Sequence, residues 1–268
     1  MIDSFLEKLC YKPNNVNRRT LIVAAHPDDD VISMGSRLRY LKDVKIVYIT
    51  DGAPNIEHSN LAGCYSREQY ARKRRRESEQ ALDCAGLSKD CCIWLDITDQ
   101  TASFRMVEII KKLVDIIKYN GIEKIITHTY EGGHPDHDTA SFVVWSACRM
   151  LKEVNTDVYE FSSYFNHDCS IKTNYFLNNL TKSISSNISN NDLEIKHEMV
   201  SCYKTQVEMI KHFDITKEIF RKAPTYNYLN NPHSGILFYE LMEWGITGRE
   251  WRQAASESMH MLGLKRKS

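Results

Sequence analysis

The chain has no apolar run of membrane-spanning length, no excess of charge of either sign, no Cys-x-x-Cys pair and no Gly-x-Gly-x-x-Gly turn. Each absence narrows what it can do. Without the roughly 18 consecutive apolar residues of a membrane helix, no membrane partner is expected. The first 19 residues hold no unbroken apolar stretch and place acids at Asp3 and Glu7, which argues against a secretory leader and predicts a cytoplasmic protein. Thirty-five Lys and Arg balance 35 Asp and Glu, so no long-range field draws in nucleic acid. The basic run Arg72–Arg76 sits in a helix beside Glu68, Glu77 and Glu79 and reads as a solvated helix face. Eight cysteines in a reducing compartment read as buried apolar fillers. The missing glycine-rich turn weighs against a nucleotide-binding domain.

What is present is enough to fold. With 42% hydrophobic and 26% charged residues over 268 positions, disorder and coiled coil are excluded. Thr20–Ala25 is a continuous apolar run of strand length, and helical spacing over 31–41 leads to a second run, Val44–Thr50. A long charged helix is predicted from Ser66 to Ala85 with Gly86 as its C-terminal cap. The alternation continues with a strand at Cys92–Leu95, a helix at Phe104–Tyr119, a strand at Lys124–His128, a helix at Asp136–Lys152 and a strand at Val158–Phe161. Strand–helix alternation with short connections predicts an α/β fold, a Rossmann-like, doubly wound, mostly parallel sheet with helices on both faces. One domain over 1–268 is expected: a core over 18–165, an Asn/Ser-rich irregular insertion over 166–191, and a helical and aromatic region over 195–268 that begins with a helix at Ile195–Phe213. The sequons at Asn179 and Asn187 carry no meaning without a secretory route.

His-Pro-Asp occurs twice, as His26-Pro27-Asp28-Asp29 and as His134-Pro135-Asp136-His137, and each copy follows an apolar strand and opens a helix. Both then sit at carboxyl ends of parallel strands, where open α/β sheets form their crevice. A bland alternative is that both are plain helix starts, since Pro suits a first turn and Asp the positive helix end. The chemical reading is a metal site. His26 and Asp29 lie three apart on one turn, and His137 adds a third ligand from the other loop. Two His and one carboxylate leave a fourth position for water, as in catalytic zinc sites. Iron(II) uses the same donors, so Fe2+ stays open beside Zn2+. Asp28 is left to take a proton from that water, and His134 to donate to an oxyanion or be held by Asp136.

At these residues the chain resembles the PIG-L/LmbE-type zinc-dependent N-deacetylases. The likeness rests on AHPDDD at 25–30 and YEGGHPDHD at 130–138, and extends through Thr50-Asp51-Gly52, Arg74-x-x-Glu77 and Tyr203-Lys204-Thr205-Gln206. Asp30 departs from the Glu usual at that place. The resemblance implies His26, Asp29 and His137 as zinc ligands, Asp28 as general base, and His134, paired with Asp136, as helper of the tetrahedral intermediate. It also implies hydrolysis of the N-acetyl amide of an N-acetylglucosamine-type amino sugar, a small-molecule partner. Arg74, Asp51 and Tyr130 are expected to touch substrate. His128 is expected to be a near-core histidine, and Tyr226, Tyr228, Trp244 and Trp251 to close the C-terminal core. A metal- or sugar-binding protein without catalysis is the alternative, and it would be favoured by an altered base position.

Overall fold

The computed structural model describes residues 3–13, 16–55, 63, 66–151, 156–167 and 170–264. Helix α1 (Ser4–Tyr11) precedes strand β1 (Thr20–Ala24), and the alternation runs on through α2 (Asp29–Leu38), β2 (Val44–Pro54), α3 (Arg67–Cys84), β3 (Cys92–Asp99), α4 (Met106–Tyr119), β4 (Lys124–Thr127), α5 (Pro135–Met150) and β5 (Asp157–Phe161). There follow a hairpin of β6 (Tyr164–His167) and β7 (Ser170–Thr173), strand β8 (Ser183–Ser185), helices α6 (Asn190–Ser201) and α7 (Val207–Ile210), strand β9 (Ile219–Lys222), and helices α8 (Phe238–Leu241) and α9 (Gly248–Met261).

Seven strands form one sheet in the order β3-β2-β1-β4-β5-β9-β8. The first five are parallel and the last two pairings antiparallel. The central strands are apolar at successive positions because both faces are covered. Leu21 and Val23 of β1 point into one core with Val47, Ile49 and Ile125, beneath α4, α5 and α9. Ile22 and Ala24 point into the other with Ile46, Tyr48 and Ile126, beneath α1, α2 and α6. The period of two along each strand thus fills two layers at once. From β1 the chain winds one way to β2 and β3, then returns to lay β4 and β5 on the other side. The reversal falls between β1 and β4, where a crevice opens at the strands' carboxyl ends.

The doubly wound, mostly parallel sheet agrees with the sequence expectation, and three segments depart from it. The 166–191 stretch is not irregular throughout, since it contributes part of β6, β7 and β8. The helix expected over 195–213 breaks after Ser201. Tyr203 is fully buried there, the Thr205 N–H donates to Glu77 and the Gln206 amide to Tyr70, so anchors on α3 override helical continuation. Strand β9 carried no strong pattern and is fixed by pairing with β5, where Arg221 meets Glu160 at 2.9 Å. Six described cysteines are free thiols. Cys64, Cys169 and Lys152 lie outside the described residues. Among the described residues no helix is long and apolar enough to cross a membrane.

Candidate active site

The β1–α2 connection brings the first motif into the crevice. Asp29 opens α2 and its Oδ2 accepts the His26 N–H at 2.6 Å, closing a tight turn. Asp28 stands at the N-cap, yet its carboxylate makes no cap bond. It turns instead to Arg74 of α3, whose Nη2 donates to Asp28 Oδ2 at 3.0 Å while Nη1 donates to the Gly52 carbonyl at 2.8 Å. Gly52 has φ +64°, and a Cβ there would stand 2.8 Å from Pro27 and 2.9 Å from the Arg74 guanidinium, so only glycine lets β2 pass so close.

The second motif arrives from β4. His134 is the N-cap of α5, its Nδ1 accepting the Asp136 N–H at 3.1 Å, with Pro135 in the first turn. That bond commits Nδ1 as acceptor and leaves the proton on Nε2. His137, one turn on, points Nε2 at the first motif and Nδ1 at Ser163 Oγ, 3.2 Å away. His26 Nδ1 and His137 Nε2 are 3.2 Å apart, His26 Nδ1 and Asp29 Oδ2 3.3 Å, and His137 Nε2 and Asp29 Oδ1 3.2 Å. Donors around a tetrahedral ion with bonds of about 2.0–2.1 Å stand about 3.3 Å apart. Each ring nitrogen thus stands at that spacing from the other and from one oxygen of Asp29, Oδ2 on the His26 side and Oδ1 on the His137 side, so the two imidazoles and the carboxylate suit such an ion.

Other donor sets overlap here: His26, His134 and His137; His26, Asp99, His134 and Asp136; Asp29, His128 and His137. The His26, Asp29 and His137 triangle is favoured because each remaining member has another engagement. Asp99, at the end of β3, lies 3.0 Å from His26 Nε2, on the side of the ring away from the triangle. Such a carboxylate behind a ligating imidazole fixes its tautomer and orientation. His128 Nε2 accepts the Ala25 N–H at 3.1 Å, and its ring stacks on His137 with centroids 4.0 Å apart.

Electrostatics follow from crowding these groups in a buried space. Burial disfavours a charged His26, but the Asp99 and Asp29 carboxylates outweigh it and hold the imidazole well above its usual range. Burial likewise opposes ionisation of Asp29, yet His137, His128 and His26 hold it well below the usual carboxylate range. Asp28 is pushed up by burial against the pull of Arg74, and Asp29 beside it adds to the rise. His128 is lowered to about 4 by burial and by His137. His134 is held well below its ordinary value, by burial first and then by His26.

A cavity of about 140 Å³ opens on this cluster, lined by His26, Asp28, Asp29, Arg74, Asp99, Gln100, His134 and His137. Six of the nine residues singled out from the sequence line this cavity; Asp136 stands directly behind it, its Oδ2 3.6 Å from His26 Nε2, and Asp51 and Tyr130 lie elsewhere. Asp136 does not hold the His134 ring by its side chain: its carboxylate accepts the Gln100 and Ala102 N–H groups, at 2.6 and 3.1 Å, and so ties down the β3–α4 turn. Asp51 Oδ1 accepts the Ala53 N–H at 3.0 Å and Oδ2 pairs with Arg67 at 2.6 Å, facing a neighbouring cavity. Tyr130 is buried in the core against Trp251, and its hydroxyl donates to the Asn230 carbonyl at 2.7 Å. Asp30, on its shorter arm, accepts from the Tyr48 hydroxyl at 2.9 Å. Several cavity residues went unforeseen, among them Asp99, Gln100, Tyr164, Met209 and Phe213. Asp99 ends a strand whose periodicity looked finished at Leu95, and Tyr164 lies where the pattern fades. Trp244, expected in the core, lines the cavity.

Residues 21–148 match the family model of PIG-L, described as GlcNAc-PI de-N-acetylase. A probable N-acetyl-alpha-D-glucosaminyl L-malate deacetylase 2 of Bacillus cereus is 27% identical over 173 residues, 62% of this chain and 78% of the relative. The diacetylchitobiose deacetylase of Thermococcus kodakarensis is 28% identical over 151 residues, 52% of this chain and 54%, about half, of that relative. The zinc-inhibited form of a teicoplanin deacetylase superposes with a TM-score of 0.59 at 15% identity, covering 76% of this chain and 97% of that one. Both His-Pro-Asp motifs of the crevice lie within the stretch, residues 21–148, that is similar to the PIG-L family model.

Proposed function

We propose that the protein is a metal-dependent N-deacetylase that hydrolyses the N-acetyl amide of an amino sugar, releasing acetate and a free amine. One observation carries the reading: the His26 and His137 imidazoles stand 3.2 Å apart, each 3.2–3.3 Å from one oxygen of the Asp29 carboxylate, in the same cavity as a second carboxylate, Asp28, that Arg74 holds. The named activities of the relatives support the reaction class.

His26 Nδ1, an Asp29 carboxylate oxygen and His137 Nε2 would hold a divalent cation, with zinc suited to two imidazoles and a carboxylate and iron(II) able to use the same set. When bound, such a cation supplies Lewis acidity, polarising an amide carbonyl and easing the loss of a proton from water. Asp28 takes that proton, and Arg74 fixes the carboxylate's position for the transfer. Water oxygen bonds to the acetyl carbon, the C=O pair moves to oxygen, and the His134 Nε2–H donates to the oxyanion. His134 has committed Nδ1 to the backbone, so Asp28 returns the proton to the amine as the C–N bond breaks. Atoms balance as amide plus water giving acetic acid plus amine, which leave as acetate and ammonium once the acid proton passes to the amine.

The test is metal content measured together with acetate release from a panel of N-acetylglucosamine compounds. Chelator-treated protein is expected to release none and added zinc to restore release. A metal-loaded protein inert across the panel would refute the reading.

A further inference from the structure

The cavity has a second wall that hydrolysis does not use. Ile32 of α2, Tyr164 of β6, Met209 of α7, Phe213 beyond it and Trp244 after α8 line it. About 140 Å³ is under half of the roughly 300 Å³ at which pockets for whole small ligands begin. With an acetamido group on the floor, the rest of the amino sugar has to leave past the mouth. Met209 there is 41% exposed, and Phe213 and Trp244 are half-buried.

These residues brace one another. Trp244 lies 4.6 Å from the His134 ring and 5.8 Å from Phe238, and Tyr164 stands edge-on to Phe213 at 5.6 Å and to Phe238 at 5.7 Å. Gln206, the amide on this side, is already engaged, its Nε2 donating to the Tyr70 hydroxyl at 2.6 Å and to the Thr205 carbonyl at 3.1 Å. The charged groups lining the cavity, Asp28, Asp29, Arg74 and Asp99, are grouped on the catalytic floor with the histidines, and Arg74 is spent on Asp28 and Gly52. A charged or hydroxyl-rich substituent leaving over the rim would lose water and meet few free partners.

We infer that Met209, Phe213 and Trp244 form an aglycone subsite that takes an apolar substituent, alkyl or aryl, carried by the amino sugar. The inference rests on the deacetylase reading and names the substrate class within it. A fully buried methylene strengthens binding up to about four-fold, and a half-exposed rim yields part of that.

The experiment compares methyl, butyl and hexyl glycosides of N-acetylglucosamine on zinc-loaded protein, below micelle-forming concentrations, together with calorimetric affinities for the matching glucosamine glycosides. From methyl to hexyl, kcat/KM and affinity are expected to rise together about ten-fold, mostly through KM. Met209→Ser, at an exposed position, and Phe213→Ala should each cut that gain to about two- or three-fold, the first variant serving if the second fails to fold. Acetate release with no dependence on chain length would overturn the subsite and leave the deacetylase reading intact. Affinity that grows with chain length without acetate release would overturn the reading and keep the apolar rim. A chain-length gain unchanged in both variants would place the contact elsewhere and overturn the assignment. So would binding to sugar-free phosphatidylcholine vesicles alongside a flat glycoside series, which would give the rim to a membrane surface.

Discussion

Asp28 and Asp29 are neighbours with opposite electrostatics, because Asp29 faces three imidazoles while Asp28 faces one guanidinium from a buried position. Their chemistry should separate accordingly. Asp28→Asn removes the proton acceptor but none of the three close-set donors, so we expect full metal content with acetate release down by about 10²-fold or more. Wild-type turnover in that variant would defeat the assignment. Asp99→Asn makes the converse case. It keeps an acceptor for His26 Nε2 but loses the charge that steadies the imidazole, so metal affinity, measured by competition with a chelator, should fall about 10- to 100-fold. An unchanged affinity would remove Asp99 from its supporting role. The sequence suggested His26 and Asp29 from their spacing of three and His137 from the repeated motif, yet His26 lies before α2 and meets Asp29 through the tight turn that the His26 N–H closes on the Asp29 carboxylate. Asp99 was not legible in the sequence, because only the sheet brings the end of β3 beside His26.

Connections between elements set the site's precision more than the elements do. A Cβ on Gly133 would stand 1.9 Å from the carbonyl oxygen of Tyr164, so the segment after β5 rests directly on the loop that leads into the second motif. Gly133→Ala has no side-chain rotation to relieve that overlap, and backbone has to move. We expect a loss of about 1–3 kcal/mol in urea unfolding, with acetate release falling further than stability because Tyr164 and His134 are displaced together. A variant as stable and as active as the wild type would count against the contact. Strands β1, β2, β4 and β5 and helices α2 to α5 were readable, since apolar runs and helical spacing are local signals. The break after Ser201 and the strand β9 were not: Tyr203, Thr205 and Arg221 take their conformation from α3 and β5, partners far away in sequence.

Across the whole molecule the balanced charge hides strongly unequal interiors. Glu160 and Arg221 are each 1% exposed where β5 meets β9. Burial pushes the Glu160 carboxyl up to about 7, with Arg221 and Tyr226 pulling it down without cancelling the rise. A folded value above the unfolded one means that the native state holds the proton more tightly. The resulting stability is fully present below pH of about 4.5 and is lost as pH rises to about 7, a change of up to about 3 kcal/mol. Urea titrations at pH 5 and 7.5 should show the wild type losing most of that amount relative to Glu160→Gln, and a constant difference between the two would refute it. The sequence by itself determined the alternation of strands and helices and the donors within each His-Pro-Asp motif, because both follow from neighbours within a few residues along the chain. The tertiary structure alone decided that the two motifs meet at the β1–β4 reversal, that Asp99 backs His26, that Tyr130 is core and that Trp244 is cavity wall. Those outcomes depend on which distant surfaces are pressed together, and sequence spacing carries no record of them.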